Sequence, residues 1–221
     1  MTRFVQVAGA VCIAALGCVE QATAQPKGDR PVTIGFGGGA SIGPSSGTYG
    51  IEIGYAVSDK ITIFLEGGRI GNVVPGFVTD RASVISKALG GSAEVKDKAT
   101  FGDIGVNYML KKPWAAMYQP YVGVGVGVAK VEKESTFTIG GTSLNETQLL
   151  SQYGALLGSD LAGSTTKTTM AVLVGVTRSF GERIGVDVSY RYNRIFPKTD
   201  VITGDQGINA QRLQVGVFVR F

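Results

Sequence analysis

The stretch YVGVGVGVAK, residues 121–130, alternates valine with glycine. Val122, Val124, Val126 and Val128 would share one face of a β-strand and the glycines the other, because successive strand side chains point to opposite faces. Glycine inside a strand costs conformational entropy and offers nothing to pack against. A strand that accepts glycine at three successive sites of one face is therefore expected to have large neighbours that need the space.

The same two-residue alternation recurs along the chain, with short and long connections in turn. Short links fall at 58–60, 111–114 and 181–183, and long ones at 72–98, 135–166 and 197–209. This regular order is typical of an up-and-down meander rather than a Greek key or a propeller. The eight predicted strands are Val32–Ile42, Thr48–Val57, Ile61–Gly71, Ala99–Leu110, Gln119–Glu132, Lys167–Phe180, Arg183–Ile195 and Gln211–Phe221.

Two environments explain such alternation: a soluble sandwich or barrel with its apolar face inward, or a membrane barrel with its apolar face outward. Three features favour the membrane barrel. The strands run to about 10–12 residues, enough for a tilted strand to cross a bilayer. Their second face is rich in Gly, Ala and Ser rather than in the Lys, Thr and Glu of a water-facing sheet. Aromatic residues cluster at both strand ends, as membrane interfaces require.

Backbone groups in lipid all need partners, so a membrane sheet must close on itself. With eight antiparallel strands, the first and last strands can pair. The sequence therefore predicts an all-β, eight-stranded, antiparallel up-and-down transmembrane β-barrel.

Residues 1–24 have the pattern of a cleaved signal peptide, which leaves a barrel domain at 25–221. Arg3 precedes an apolar stretch at 5–19, and an A-x-A cleavage pattern stands at 22–24. The apolar stretch is shorter than a transmembrane helix needs. A lipoprotein signal ending at Cys18 fits less well, because alanine stands where a lipobox has leucine. Both cysteines lie in this leader, so no disulfide is expected in the barrel domain.

Charged residues on the lumen phase of the strands are the candidate site. A charge buried in a narrow barrel is costly unless it is paired. These charged residues are expected to form either an internal ion-pair network that fills the barrel or the lining of a narrow ion pore. Arg69 falls on the lipid phase and is expected near the outer rim. The predicted lumen set is Glu52, Glu66, Asp103, Asp187, Arg191, Arg212 and Arg220.

Two long loops carry helix patterns. Asp80 is expected to cap a helix over 81–89 that stops at Gly90–Gly91. A second helix, ending at Gly158, has an apolar stripe that must bury against the barrel rim, the membrane surface or a partner. The stripe comprises Leu149, Leu150, Tyr153, Leu156 and Leu157.

Enzyme chemistry is not expected. The chain has no histidine, which excludes Ser-His-Asp catalysis and imidazole metal ligation. No catalytic residue, cofactor or metal site is predicted. GFGGGA at 35–40 matches a dinucleotide-binding spelling, but a strand rather than a helix follows it. The net charge of +4 is scattered, with no basic face carrying aromatics, so nucleic acid is not an expected partner.

The segments YRYNRIF at 190–196 and LQVGVFVRF at 213–221 resemble the last hairpin of the small eight-stranded outer-membrane barrels of the OmpA-transmembrane, OmpX and opacity-protein type. This resemblance covers about residues 32–221. It implies a porin-family protein of the Gram-negative outer membrane. It also implies that Phe221 is the aromatic signal that the barrel-assembly machinery recognises.

These observations lead to two functional hypotheses. One is an integral outer-membrane protein with a structural or narrow porin-like role in the cell envelope. The alternative is an adhesion or ligand-binding protein that acts through its extracellular loops, 72–98 and 135–166. The expected partners are outer-membrane lipid, the barrel-assembly machinery and an unidentified surface ligand.

Overall fold

The computed structural model describes residues 31–43, 46–110, 118–155, 157–158, 161–197 and 207–221. The predicted leader at 1–24 and the predicted turn at 111–114 lie outside them. The strands are β1 (Val32–Ile42), β2 (Ser46–Ala56), β3 (Ile61–Ile70), β4 (Gly91–Met109), β5 (Gln119–Ile139), β6 (Thr142–Leu144), β7 (Gly163–Phe180), β8 (Ile184–Ile195) and β9 (Ile208–Arg220). The helices are α1 (Gly76–Ala88) and α2 (Glu146–Tyr153).

Eight of these strands form a closed barrel. Each pairs antiparallel with its neighbours in the order β4-β3-β2-β1-β9-β8-β7-β5, and the β4–β5 pairing completes the ring. β6 is a three-residue strand that pairs with the outer end of β5. At the seam between β1 and β9, the Phe221 amide donates to the Val32 carbonyl at 2.9 Å. The predicted fold class is confirmed.

The apolar phase of the strands faces outward. Val124, Val126 and Phe36 are more than half exposed, whereas Phe64 on the opposite phase is 1% exposed. A soluble barrel would show the reverse, because its apolar side chains would be withdrawn from the surface. The outward band is therefore the surface that meets hydrocarbon. Exposed aromatic side chains border it at Tyr49, Tyr55, Tyr108, Phe180, Phe196 and Phe221.

The lumen glycines provide space for large side chains on other strands. A Cβ atom on Gly105 would lie 2.6 Å from Phe64 Cζ, and one on Gly125 would lie 3.1 Å from it. On β7, a Cβ atom on Gly175 would lie 2.5 Å from Tyr121 Cζ. On β5, Gly125 leaves space for the Phe64 ring, whereas Gly123 and Gly127 lie against Asn107 and Asp103, so the three glycines make room for side chains of β3 and β4.

The long loops are shorter than predicted. Residues 91–98 and 135–139, expected in loops, extend β4 and β5 beyond the apolar band. The alternation continues there in the opposite sense, with Val95 and Phe137 directed inward and charged residues outward. The prediction was wrong because it sought apolar outward residues, and these are absent where strands leave the membrane for water.

Both predicted helices exist, but their ends differ from the prediction. α1 begins at Gly76 after Pro75, so Asp80 lies inside the helix and caps nothing. Pro75 occupies the N-cap position in an extended conformation, with φ −69° and ψ 145°, and the helix follows directly from it. α2 stops at Gly154, which adopts φ 64°, so the helix does not reach Gly158. In the part of the chain that the structure describes, no helix is long and apolar enough to span a membrane.

The predicted apolar stripe of α2 is divided between the interior and the surface. Leu149 is fully buried, whereas Leu150 and Tyr153 remain 44% and 46% exposed. Leu157, beyond the helix, is also buried, and Leu156 lies outside the described residues. The stripe is divided because α2 is only 8 residues long and cannot hold all five side chains on one face.

Candidate functional site

A layer of charged and polar side chains crosses the barrel lumen. On β3 it contains Glu66, on β4 Asp103, and on β8 Arg191. Arg212 on β9 and Glu52 on β2 complete the ring around the wall. The period of two places all of these residues on the lumen phase of their strands. Closure of the barrel then brings together residues that are more than a hundred positions apart.

Arg191 is the centre of the layer. Its Nη1 donates to Glu66 Oε2 at 2.5 Å, and its Nη2 donates to Glu52 Oε2 at 2.6 Å. One planar guanidinium therefore joins two carboxylates on adjacent strands. The Arg191 side chain is 6% exposed, so water screens these contacts little.

Arg212 and Asn193 continue the layer toward β4. Arg212 Nη1 donates to Glu66 Oε1 at 3.3 Å, and its Nη2 donates to Asn193 Oδ1 at 2.8 Å. Asn193 Nδ2 in turn donates to Asp103 Oδ2 at 3.0 Å, and the Thr169 hydroxyl donates to Asp103 Oδ1 at 2.5 Å. Asp103 is thus satisfied by an amide and a hydroxyl rather than by an arginine.

Asp187 and Arg220 have aromatic partners on the lumen side, and Asp187 also contacts Ser189, which accepts a hydrogen bond from Arg191 Nε at 3.3 Å. Asp187 accepts a hydrogen bond from the Tyr121 hydroxyl at 2.9 Å. The guanidinium of Arg220 stacks on the ring of Phe218, with Cζ 4.9 Å from the ring centroid. All seven predicted residues lie on the lumen phase of their strands. Direct contacts or one intermediate side chain join Glu52, Glu66, Asp103, Asp187, Arg191 and Arg212.

Two apolar layers enclose the charged one. On β3, Phe64 precedes Glu66 and Ile70 follows it; on β4, Phe101 lies on the outer side of Asp103. The layer nearer the chain ends at Val32 and Phe221 contains Phe64, Tyr121, Ala171 and Leu173. The outer layer contains Ile70, Val73, Ala99, Phe101, Ala129, Val131, Ile195, Ile208 and Ala210. Arg212 is completely buried and its guanidinium Cζ lies 4.2 Å from the centroid of the Phe101 ring.

Sequence reasoning missed the neutral members of the layer. The lumen phase of β8, β7 and β5 contains Asn193, Thr169 and Tyr121, so the two-residue period could have placed them in the lumen. Their hydrogen-bond partners could not be predicted, because a strand pattern shows which face a residue occupies but not which residue it meets across the barrel. Within the described ranges, no group of three or more His, Cys, Asp or Glu side chains is arranged to hold a metal ion.

A second candidate region stands outside the membrane. The extensions of β4 and β5, with β6, α1 and α2, enclose an apolar core of their own; this unit is here called the cap. An Asn145–Gln148 capping box starts α2, with Asn145 Oδ1 accepting from the Gln148 amide at 3.0 Å. The buried cap residues are Val74, Val78, Ala82, Phe137, Ile139, Leu144, Leu149, Leu157 and Leu161.

The outward face of the β4–β5 extension is charged. Lys98 Nζ donates to both carboxylate oxygens of Glu134 at 2.8 Å, and Lys96 Nζ lies 2.8 Å from Glu94 Oε1. The hydrogen bond from Lys96 holds the pKa of Glu94 below its usual value. Near the membrane boundary, Arg69 Nη2 lies 3.6 Å from Glu132 Oε2.

Comparison with known proteins identifies relatives of the barrel. The outer membrane protein beta-barrel domain family matches residues 8–221. No curated protein sequence is significantly similar to this chain.

Solved structures share the fold at low sequence identity. Neisserial surface protein A is 16% identical with a TM-score of 0.51, and the alignment covers 86% of this chain and 96% of that protein. A major outer membrane protein from Thermus thermophilus is 10% identical with a TM-score of 0.52, covering 86% and 99%. OprG from Pseudomonas aeruginosa is 14% identical with a TM-score of 0.50, covering 88% and 98%.

Proposed function

The chain belongs to the outer membrane protein beta-barrel domain family, and from that membership we propose that it is a structural, non-conducting envelope protein that displays a folded cap at the cell surface. The protein is an integral β-barrel of the outer membrane, embedded in its lipid. Members of this kind have structural or porin-like roles. The buried layers of the lumen favour the structural one.

The sealed charged layer is the observation that carries this proposal. A water-filled pore leaves its lining side chains accessible to solvent. Here Arg212, Ala99 and Val131 are completely buried, and Asp103 is 1% exposed. Paired charges between two apolar layers fill the lumen and hold the strands in register, whereas ion passage would require them to separate. Each separation would leave a buried charge unpaired, at a cost of several kcal/mol.

Planar-bilayer recording tests this proposal. The purified barrel is expected to give no stepwise current in potassium chloride, and the Glu52→Gln variant is expected to give none either. A porin recorded in the same bilayers is the positive control. Reproducible conductance steps whose ion selectivity changes in Glu52→Gln would overturn the structural role in favour of a narrow pore.

We also propose that the protein is not an enzyme and that it needs no cofactor. The chain contains no histidine, which removes the usual general base of hydrolytic sites. The buried carboxylates are engaged by Arg191, Arg212 and Asn193 rather than directed at a substrate space. Hydrolytic activity of the purified barrel that is lost in Glu66→Gln would contradict this proposal.

Surface binding through the cap is the second candidate function, favoured by the two exposed side chains of α2. Leu150 and Tyr153 stay exposed although an apolar core lies directly beneath the helix. Cells that display the protein are expected to adhere to immobilised matrix proteins or glycans, and Leu150→Ser with Tyr153→Ser is expected to abolish that adhesion. Val84→Ser, on exposed α1 surface, is the matched control. Equal adhesion by cells displaying the wild type, the double variant and Val84→Ser would contradict the proposal.

The assembly role of Phe221 is proposed from the family resemblance. Phe221 is exposed on the lipid phase, directly after β9 and beside the β1 seam. Phe221→Ser is expected to slow insertion by the barrel-assembly machinery severalfold, measured as the rate at which the heat-modifiable folded form accumulates in isolated membranes. Val217→Ser, in the same lipid phase of β9, controls for loss of apolar surface. Equal rates for Phe221→Ser and the wild type would contradict the proposal.

A further inference from the structure

We propose that the half of the lumen next to the chain ends at Val32 and Phe221 binds a small primary ammonium ion. The ion donates hydrogen bonds to Asp187 and Glu52, which face it from β8 and β2. The space that receives it is here called the vestibule, and it is bounded by Gly35, Gly37, Glu52, Asp187 and Gly216. The proposal does not depend on the cap or on ion conductance, so it can fail while the structural role stands.

The apolar layer nearer the chain ends covers only part of the wall. Its members all lie on β3, β5 and β7. On the other side of the lumen, β1 presents Gly35 and Gly37. A Cβ atom on Gly37 would meet backbone atoms of β9 at 3.5 Å, and one on Gly35 would meet Phe218 Cβ at 3.6 Å. These are ordinary contacts, so no aromatic ring fills the volume beside these two glycines.

Residues around the vestibule are accessible to solvent although they face the lumen. The Glu52 side chain is 27% exposed, whereas Glu66, opposite it on β3, is 4% exposed. Asp187 and Gly37 are likewise only partly buried. Closer to the chain ends, Arg220 on the same phase of β9 is also partly buried. A small solute can therefore reach the two carboxylates from this end of the barrel.

The two carboxylates leave negative charge and an acceptor oxygen available. Asp187 is hydrogen-bonded by the hydroxyls of Tyr121 and Ser189, which are neutral. In the part of the chain that the structure describes, no ion pair joins Asp187 to a cation. Glu52 binds Arg191 through Oε2, and its Oε1 accepts no hydrogen bond from a described residue. Because an unpaired charge away from bulk water is costly, the vestibule favours a bound cation.

Asn107 is an independent sign of a missing donor. This residue is 3% exposed on the lumen phase of β4, and its Oδ1 has no hydrogen-bond partner among the described residues. A Cβ atom on Gly123 would overlap this oxygen, so the amide lies against β5 two residues from Tyr121, whose hydroxyl reaches Asp187. A buried amide oxygen is costly to leave unpaired. A ligand N–H can satisfy it directly or through one water.

The chemistry of these groups selects a primary ammonium ion. Two carboxylates and an amide oxygen are acceptors, and a primary ammonium has one positive charge and three N–H donors. A metal ion fits less well, because no group of three or more His, Cys, Asp or Glu side chains is arranged around one in the described ranges. A quaternary ammonium ion has the charge but no N–H to donate.

Titration of the 15N-labelled full barrel in lipid nanodiscs with methylammonium chloride tests the proposal. The amide signals of Gly35, Gly37 and Gly216 are expected to shift saturably, while that of Gly102 on the outer wall stays in place. Asp187→Asn keeps the size of the side chain and is expected to weaken binding about tenfold. Glu146→Gln, on the exposed surface of α2, is the matched control and is expected to bind as the wild type does.

A second variant fills the vestibule without removing a charge. Gly37→Leu is expected to abolish the saturable shifts, and heat-modifiable migration on a gel shows whether that barrel is folded. An absence of saturable shifts in the wild type, or equal affinity of the wild type and Asp187→Asn, would overturn the proposal. The same shifts with tetramethylammonium or sodium chloride at equal ionic strength would overturn the primary ammonium as occupant, since neither cation donates a hydrogen bond.

Discussion

Arg191→Met is expected to lower the free energy of unfolding by about 3–5 kcal/mol, the usual cost of breaking a buried ion pair from one side. The substitution keeps most of the side-chain volume but leaves Glu52 and Glu66 without the guanidinium that joins them. Glu66 retains its contact with Arg212 at 3.3 Å, whereas Glu52 loses the guanidinium with which it forms an ion pair. Urea titration of the refolded barrel in lipid vesicles, followed by heat-modifiable migration, measures the effect.

Arg194→Met is the matched control for this prediction. Arg194 lies on the same strand but faces outward, where its Nη1 donates to Asn209 Oδ1 at 2.7 Å. Because exposed charges contribute little, we expect a change below about 1 kcal/mol. Adding Glu52→Gln to Arg191→Met should recover part of the lost stability, because it removes the carboxylate left without a guanidinium while Glu66 keeps Arg212. Equal unfolding midpoints for the two arginine variants would show that the lumen layer does not stabilise the barrel.

Gly175→Val is expected to destabilise the barrel by about 1–3 kcal/mol through overpacking. A Cβ atom at this position would lie 2.5 Å from Tyr121 Cζ and 2.6 Å from its hydroxyl oxygen. The ring has little room to retreat, since it is buried and its hydroxyl donates to Asp187. The same urea titration measures the loss.

A double-mutant cycle isolates the steric cause. In a Tyr121→Ala background the ring is absent, so Gly175→Val should cost much less there, and the difference is the coupling free energy. Gly102→Val is the control on the lipid face, where no side chain lies near, and is expected to be neutral or mildly stabilising. An equal cost of Gly175→Val with and without Tyr121 would refute the packing explanation.

The sequence predicted which side of the wall each residue faces, because the two-residue period alone decides it. Glu66 and Arg191 were therefore both assigned to the lumen phase, although they are 125 positions apart, and their side chains are in contact. Their pairing was not predictable, because it depends on register around the whole ring. Asp103 shows the same limit: the strand pattern predicted a lumen position but no partner, and the neutral side chains of Asn193 and Thr169 bind it.

The cap was the least predictable part of the molecule. Val95 and Phe137 continue the strand pattern, but beyond the bilayer the apolar phase turns inward and the charged phase outward. The pattern used to predict the strands, apolar outward residues at every second position, therefore ends where the strands leave the bilayer. The helices were recognisable from their spacing, while their ends depended on Pro75 and Gly154, two backbone features that override apolar periodicity.

All 19 residues of β4 pair with β5, from the barrel wall to the turn at Gly140–Gly141. The hydrogen-bonded pairing of β4 and β5 is continuous from the cap into the barrel wall, so a force applied to the cap is transmitted along these two strands to the membrane-embedded sheet. Both turn glycines have positive φ, and a Cβ atom on either would meet nothing within 4 Å. The Gly140–Gly141 turn is consequently a suitable place to insert a foreign epitope for display at the cell surface.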